Sequence, residues 1–195
     1  MCRGTNGIVM DMFRQPDKIL EAIDRITPII IDDAVKSAEA AMSPVIFMPL
    51  HKGDKTFMSQ KAFETFYWPS FKKVLLGLID EGLVPMPFAE GNYIPRLEAI
   101  SDMPRGSMAW YFEYMDMAQA KKTVGKSNCI MGNLPISIMA TGTPQDVKEG
   151  CRKLIETCAP GGGYILSAAA SMDKGNIENL HAMMDAAKEY GVYKR

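Results

Sequence analysis

Apolar and polar residues alternate along the chain in blocks of two kinds. Short apolar runs, such as the proline-bounded segment Pro44–Pro49, predict buried strands. Longer segments with apolar residues three or four positions apart predict helices, and Thr143–Asp146 carries a helix-start signal. The predicted strands lie at 44–49, 84–88, 107–112, 128–131 and 163–167, and the predicted helices at 15–30, 59–82, 93–100, 116–123, 143–158 and 176–190.

Three local features refine this pattern. The glycine-containing segment Met1–Gly7 predicts a loop at the start of the chain. Pro28 is expected to kink or split the first helix, because proline cannot donate the backbone hydrogen bond. The last helix is predicted to turn four residues towards the core, namely Ile177, Leu180, Met184 and Ala187.

A helix follows each predicted strand, and the strands are continuous apolar runs. This order is typical of an α/β fold with a parallel sheet covered by helices. Residues 1–43 form an entry loop and helix, and 44–195 hold five βα units of about 30 residues each, in a single domain over 1–195. A closed eight-unit barrel needs about 250 residues, so the pattern leaves an open doubly wound sheet and part of a barrel as equal alternatives.

Composition and charge exclude several classes of protein. The formal net charge is −1 and 47% of the 195 residues are hydrophobic, which argues against a disordered chain or a basic nucleic-acid binder. No apolar run is long enough to span a membrane, and no secretory signal is recognisable. The four cysteines lack Cys-x-x-Cys spacing, which predicts reduced thiols in a cytoplasmic protein, with Cys151 and Cys158 facing the core.

Polar residues follow each predicted strand at its carboxyl end, where barrel proteins build their sites. A histidine beside carboxylates from neighbouring strand ends can perform general acid–base chemistry or hold a divalent metal. These residues are His51 and Lys52 after the first strand, Glu90 and Asn92 after the second, Glu113 and Asp116 after the third, Asn133 after the fourth and Ser167 after the fifth.

Seven segments, spread in order over essentially the whole chain, give it a family resemblance. The chain resembles the C-terminal portion of the uroporphyrinogen decarboxylase (URO-D) superfamily. The segments are Phe57–Ser59, Phe63–Pro69, Pro87–Asn92, Met131–Pro135, Gly142–Val147, Gly162–Ser167 and Glu178–Met183.

The resemblance implies a (β/α)8 TIM barrel, of which this chain would hold the last five or so strands. Family members are longer at the N-terminus, so the chain is expected to be an incomplete barrel. Met1 would be an internal or mis-assigned start if an open reading frame continues upstream with the missing strands. Open sheet edges would then favour self-association or a homodimer.

The superfamily has two known chemistries, and the resemblance carries both to this chain as expectations. One is cofactor-free decarboxylation of the acetate side chains of a tetrapyrrole in porphyrin biosynthesis. The other is methyl transfer between corrinoid proteins and thiols, using zinc. Positions that resemble the zinc ligands hold Phe88, Glu90 and Ala168–Ala170, and the decarboxylase branch's arginine clamp belongs to strands this chain lacks.

The leading hypothesis is therefore a decarboxylase-like lyase with His51 and Glu90 as catalytic residues. There are two alternatives. The first is a corrinoid-dependent methyltransferase with altered metal ligands, in which His51 and Glu90 hold the metal. The second is an inactive barrel fragment that needs a partner. The expected small-molecule substrate is a tetrapyrrole or a methyl donor, and the methyltransferase alternative adds a corrinoid protein as partner. None of the three hypotheses involves nucleic acid or a membrane. The predicted substrate-binding residues are Arg3, Lys52, Asn92, Glu113, Asp116 and Asn133. Arg3 is included because the loop from Arg3 to Gly7 resembles a family segment near the active-site mouth. Arg96 is a further cationic candidate.

Overall fold

Helical periodicity at the start of the chain produces two helices. The computed structural model describes residues 3–192, so Met1 and Cys2 of the predicted opening loop lie outside the described residues. From Gly4 onward the loop prediction is wrong, because α1 begins there and runs over Gly4–Arg14. Helix α2, Pro16–Ala41, continues through Pro28, which excludes the predicted split.

The long helix predicted from Ser59 is present and has three parts. The Ser59 side chain accepts a hydrogen bond from the Ala62 backbone N–H, which caps the first turn, α3. The segment then passes through a π-helical turn into α4, which ends just before Gly82. The bounds are Gln60–Ala62 for α3, Phe63–Tyr67 for the π-helical turn and Trp68–Asp80 for α4.

The five predicted strands form one sheet of parallel strands in the order β1-β2-β3-β4-β5. The sheet confirms the predicted α/β class and the five strand–helix units. Strand β2 is longer than predicted and reaches the polar residues beyond the apolar run. The strands are β1 Val45–Pro49, β2 Val84–Asn92, β3 Ala109–Tyr114, β4 Cys129–Met131 and β5 Tyr164–Ile165.

Three of the helices after the later strands, α6, α8 and α9, are capped by the residue at which the predicted helix begins. Thr143 and Asp146 form a reciprocal capping box at the start of α8. The prediction that Cys151 and Cys158 face the core is confirmed, since both thiols are buried. Helix α7 has no counterpart among the predicted elements. The helices are α5 Leu97–Ser101, preceded by a 3-10 turn at Ile94–Arg96, α6 Met117–Lys122, α7 Ile136–Thr141, α8 Pro144–Cys158 and α9 Ile177–Tyr190.

The predicted inward face of α9 is wrong for three of its four residues. Leu180 is 37% exposed, Met184 58% and Ile177 62%. The helix instead buries Asn179 and Ala186, and the small Ala186 side chain packs in the core cluster that α9 shares with Val147 and Cys151 of α8. The Asn179 side-chain amide donates to the carbonyl oxygens of Met139, Gly142 and Ile138 (3.0, 2.9 and 3.5 Å), at the end of α7.

One face of the sheet packs against helices, and the other carries a row of apolar side chains. Trp110, Phe112 and Ile130 are fully buried on the face that packs against helices. On the opposite face, one residue from each strand contributes to a continuous row that we call the apolar row. Strand register and ring stacking place Phe47, Phe88, Tyr111, Met131 and Ile165 in this row. Its two ends remain open, since Phe47 is 51% and Ile165 43% exposed.

Contacts divide the chain into two compact units. The first comprises Met1–Ile46 and Met58–Pro85, and the second comprises Phe47–Phe57 and Met86–Arg195. The single domain over 1–195 therefore stays a prediction. Over the part of the chain that the structure describes, none of the helices combines the length and apolar character that crossing a bilayer requires.

Candidate functional site

The two predicted catalytic side chains are in contact. His51 follows the end of β1, Glu90 lies near the end of the neighbouring strand β2, and the His51 Nδ1 atom contacts Glu90 Oε2. Both groups face solvent, with 62% of the His51 side chain and 31% of the Glu90 side chain exposed. A carboxylate on Nδ1 orients the imidazole and leaves Nε2 to exchange a proton with a bound molecule.

A buried aspartate that the sequence did not single out lies next to this pair. Asp54 is only 6% exposed and accepts hydrogen bonds from the Thr56 backbone and hydroxyl and from the Phe57 backbone. Burial alone would raise the pKa of the carboxyl, but these bonds and one from the Asn92 backbone outweigh it and lower the pKa. An aspartate in a polar loop resembles ordinary turn chemistry, so only the fold reveals its burial.

Glu113 and Asn133 connect the ends of β2, β3 and β4. A Glu113 carboxylate oxygen accepts from the Gly91 backbone N–H at 2.7 Å. The Asn133 amide donates to the carbonyl oxygens of Glu113 and Met115 at 3.2 and 2.9 Å. The structure thus brings these two predicted residues together at adjacent strand ends.

Two predicted binding residues have local roles in the backbone. Asp116 caps α6 by accepting from the Ala118 and Gln119 backbone N–H groups at 2.9 and 3.1 Å. The Asn92 side-chain oxygen accepts from the Ile94 backbone at 3.1 Å, which closes a turn after β2. Their predicted role in substrate binding stays a prediction.

The three cationic candidates have different surroundings. The Lys52 ammonium group lies 4.7 Å from the centre of the Phe57 ring, next in sequence to His51. Arg96 is 1% exposed, and its Nε donates to the Gly53 carbonyl at 3.4 Å. Arg3 belongs to the first unit, where its guanidinium forms two hydrogen bonds with Asp11, at 2.6 and 2.9 Å. An anion-binding role for Arg3 stays a prediction.

A cleft of about 930 Å³ opens at the carboxyl ends of the strands in the second unit. Its wall is mainly apolar, and no lysine, arginine or histidine occurs among the described residues that line it. The Tyr111 hydroxyl, on β3, donates to the Ala168 carbonyl at 2.8 Å and hydrogen-bonds the remaining candidate, Ser167. The lining includes Glu113, Asp116, Asn133, Ile94, Met115 and Leu154.

The residues present do not fit a catalytic zinc ion. A catalytic zinc site uses three protein ligands and keeps one position open. His51 and Glu90 supply two, and within residues 3–192 no group of three histidine, cysteine or acidic side chains converges.

Comparison with known proteins assigns the family. The sequence profile described as Uroporphyrinogen decarboxylase (URO-D) matches residues 1–190. Among solved structures, a methyltransferase from Methanosarcina mazei superposes with a TM-score of 0.82 at 18% identity, over 97% of this chain and 54% of that one. The chain thus spans about half the length of this structural relative. Curated protein sequences give no significant match. From the profile match, which extends over almost all of its residues, the chain belongs to the uroporphyrinogen decarboxylase family.

Proposed function

We propose that the chain is a decarboxylase-like lyase in which the His51–Glu90 pair transfers the proton. The contact between the His51 Nδ1 and the Glu90 carboxylate at neighbouring strand ends carries this proposal. The Glu90 contact at Nδ1 orients the ring so that Nε2 is the atom from which a proton is delivered to carbon.

The chemistry needs one proton for each carboxylate lost. The bond between the side-chain carbon and the carboxylate breaks, CO2 leaves, and the electron pair remains on the carbon. His51 Nε2 then delivers its proton to that carbon and is reprotonated from solvent, to which its side chain is open. Lys52, adjacent in sequence, is the proposed cation for a substrate carboxylate, and the apolar cleft wall is the proposed surface for the tetrapyrrole body.

The test measures CO2 release from a reduced tetrapyrrole that carries acetate side chains. His51→Ala and Glu90→Gln are expected to lower kcat by roughly 10²–10⁴-fold, the usual contribution of a positioned acid or base. His181→Ala is the matched control, since this second histidine is exposed on α9 and should leave the rate unchanged. Equal rates in wild type and Glu90→Gln would contradict the proposal.

Methyl transfer is the second candidate, favoured by the fold likeness to a methyltransferase. In this case His51 and Glu90 are the available metal ligands and a corrinoid protein is the partner. Because two ligands do not make a catalytic zinc site, we expect well under one zinc per chain after dialysis, measured by elemental analysis. Stoichiometric zinc that is lost in Glu90→Gln would favour methyl transfer over decarboxylation.

A partner-dependent role is the third candidate, and the apolar row favours it. Phe47 and Ile165 extend this row to both edge strands with about half of their side-chain surface exposed. A polypeptide that adds parallel strands to either edge would bury these ends and pair the edge backbone groups. Light scattering on Phe47→Lys beside wild type tests it: wild type is expected to associate with itself or a partner, and the variant to remain monomeric.

A further inference from the structure

We propose that Asp54 is a positioning residue for the His51–Glu90 pair, joining the loop that carries His51 to the strand end that carries Glu90. The inference rests on the proposed function of that pair. The buried carboxylate and the backbone that surrounds it all lie within the second unit.

The Asp54 carboxylate accepts hydrogen bonds both from its own loop and from the end of β2. On its own loop the donors are the Thr56 backbone (3.1 Å), the Thr56 hydroxyl and the Phe57 backbone (3.3 Å). On the β2 side the donor is the Asn92 backbone N–H. A carboxylate suits this position because it only accepts hydrogen bonds, whereas an amide would turn an NH2 group towards one set of donors.

Gly91, directly after Glu90, lies against the same carboxylate. Its φ is +79°, and a Cβ atom there would come within 2.9 Å of Asp54 Oδ2. This close approach requires glycine at position 91. It also fixes the distance between Asp54 and the Gly91 backbone, which sets the direction of the neighbouring Glu90 side chain.

Backbone hydrogen bonds on both sides of Asp54 also join the loop that carries His51 to β2. The Leu50 N–H donates to the Phe88 carbonyl at 2.9 Å, and the Lys55 N–H donates to the Asn92 carbonyl at 3.1 Å. His51 therefore lies on a segment attached to β2 at both ends, with the Asp54 side chain between the two attachments. Loss of this side chain would free the segment where His51 and Glu90 meet.

The experiment uses NMR of the whole chain with 15N-labelled histidine and needs no substrate. The chain has two histidines, so each imidazole is resolved and His181 is an internal standard. In wild type we expect the neutral His51 ring to carry its proton on Nδ1, facing Glu90. In Asp54→Ala, Asp54→Asn and Gly91→Ala the population of this tautomer should fall at least about threefold, with His181 unchanged.

Asp146→Asn is the matched control, since it removes a capping aspartate from α8 without touching the loop. This variant should leave the His51 spectrum unchanged even where it lowers Tm. A folded Asp54→Asn with the wild-type His51 spectrum would overturn the proposal. Loss of fold in all three test variants would also overturn it, because Asp54 would then be a stability residue.

Kinetics separate this inference from the proposed function. If both are right, Asp54→Asn lowers kcat about tenfold or more with KM nearly unchanged, since the residue acts through His51 and not on substrate. If Glu90→Gln retains full activity while Asp54→Asn alters the His51 spectrum, the positioning role stands and the proposed reaction fails. An unaltered kcat in Asp54→Asn, where Glu90→Gln is inactive, would contradict the positioning role.

Discussion

Gly132 illustrates how single residues shape the strand ends. Its φ is +115°, and a Cβ atom would lie 2.5 Å from the Phe112 carbonyl oxygen. Because the clash is with backbone, Gly132→Ala is expected to lower the free energy of unfolding by roughly 2–4 kcal/mol, measured by urea denaturation. Gly161→Ala is the control, with a φ of +78° but open space around it, and should cost only about 1 kcal/mol. Equal losses in the two variants would contradict the steric explanation.

Residue types at the strand ends were predictable, whereas their partners were not. The sequence placed His51 and Glu90 after adjacent strands of a parallel sheet, and the structure brings them into contact. Asp116 stands at the first position of the helix predicted over 116–123, and in the structure it caps α6. Asp54 gave no signal, because its burial depends on Gly91, which is 37 positions away in sequence and meets it only in the folded chain.

At the scale of elements, α9 shows where periodicity fails. Apolar spacing favoured the face with Ile177 and Met184, yet the buried face carries Asn179 and Ala186. Small side chains give little hydrophobic signal, although they allow helices to approach closely. The strands were easier to predict. The first four residues of β3 are all buried, so their apolar character does not depend on which face of the sheet is inside, and β4 is a short apolar run around the buried Ile130.

Asn179 provides a test of this packing. Its buried amide donates to carbonyl oxygens at the end of α7, so Asn179→Ala leaves those acceptors unpaired and should cost about 1–3 kcal/mol of unfolding free energy. Met184→Lys, on the exposed face of the same helix, should change stability by less than about 0.5 kcal/mol. Urea denaturation of both variants is the measurement, and a larger loss in Met184→Lys would show that this face is covered.

At the scale of the whole molecule, acid should unfold the chain through its paired carboxylates. Hydrogen bonds lower the pKa of Asp54 and Asp146, and Arg152 lowers the pKa of Glu149 to about 2. In the window below the unfolded value of about 4, the unfolded chain therefore binds more protons than the folded chain. Their stabilising contribution is complete above that value and is lost as pH falls through the folded pKa values.

The expected result is a urea midpoint that changes little between pH 7 and pH 5 and falls steeply between about pH 4 and pH 2. A double variant, Asp54→Asn with Asp146→Asn, should show a smaller acid-induced fall than wild type. A midpoint that stays constant from pH 5 to pH 2 in wild type would contradict this account.

The apolar row also has a thermal consequence. Phe47 and Ile165 keep hydration water at the two edge strands, and water around apolar groups carries a large heat capacity. Any molecule that covers these ends releases that water, so its binding is expected to show a negative heat-capacity change. The binding enthalpy, followed by calorimetry across temperature, would thus become more favourable on warming, and Phe47→Lys would flatten its slope.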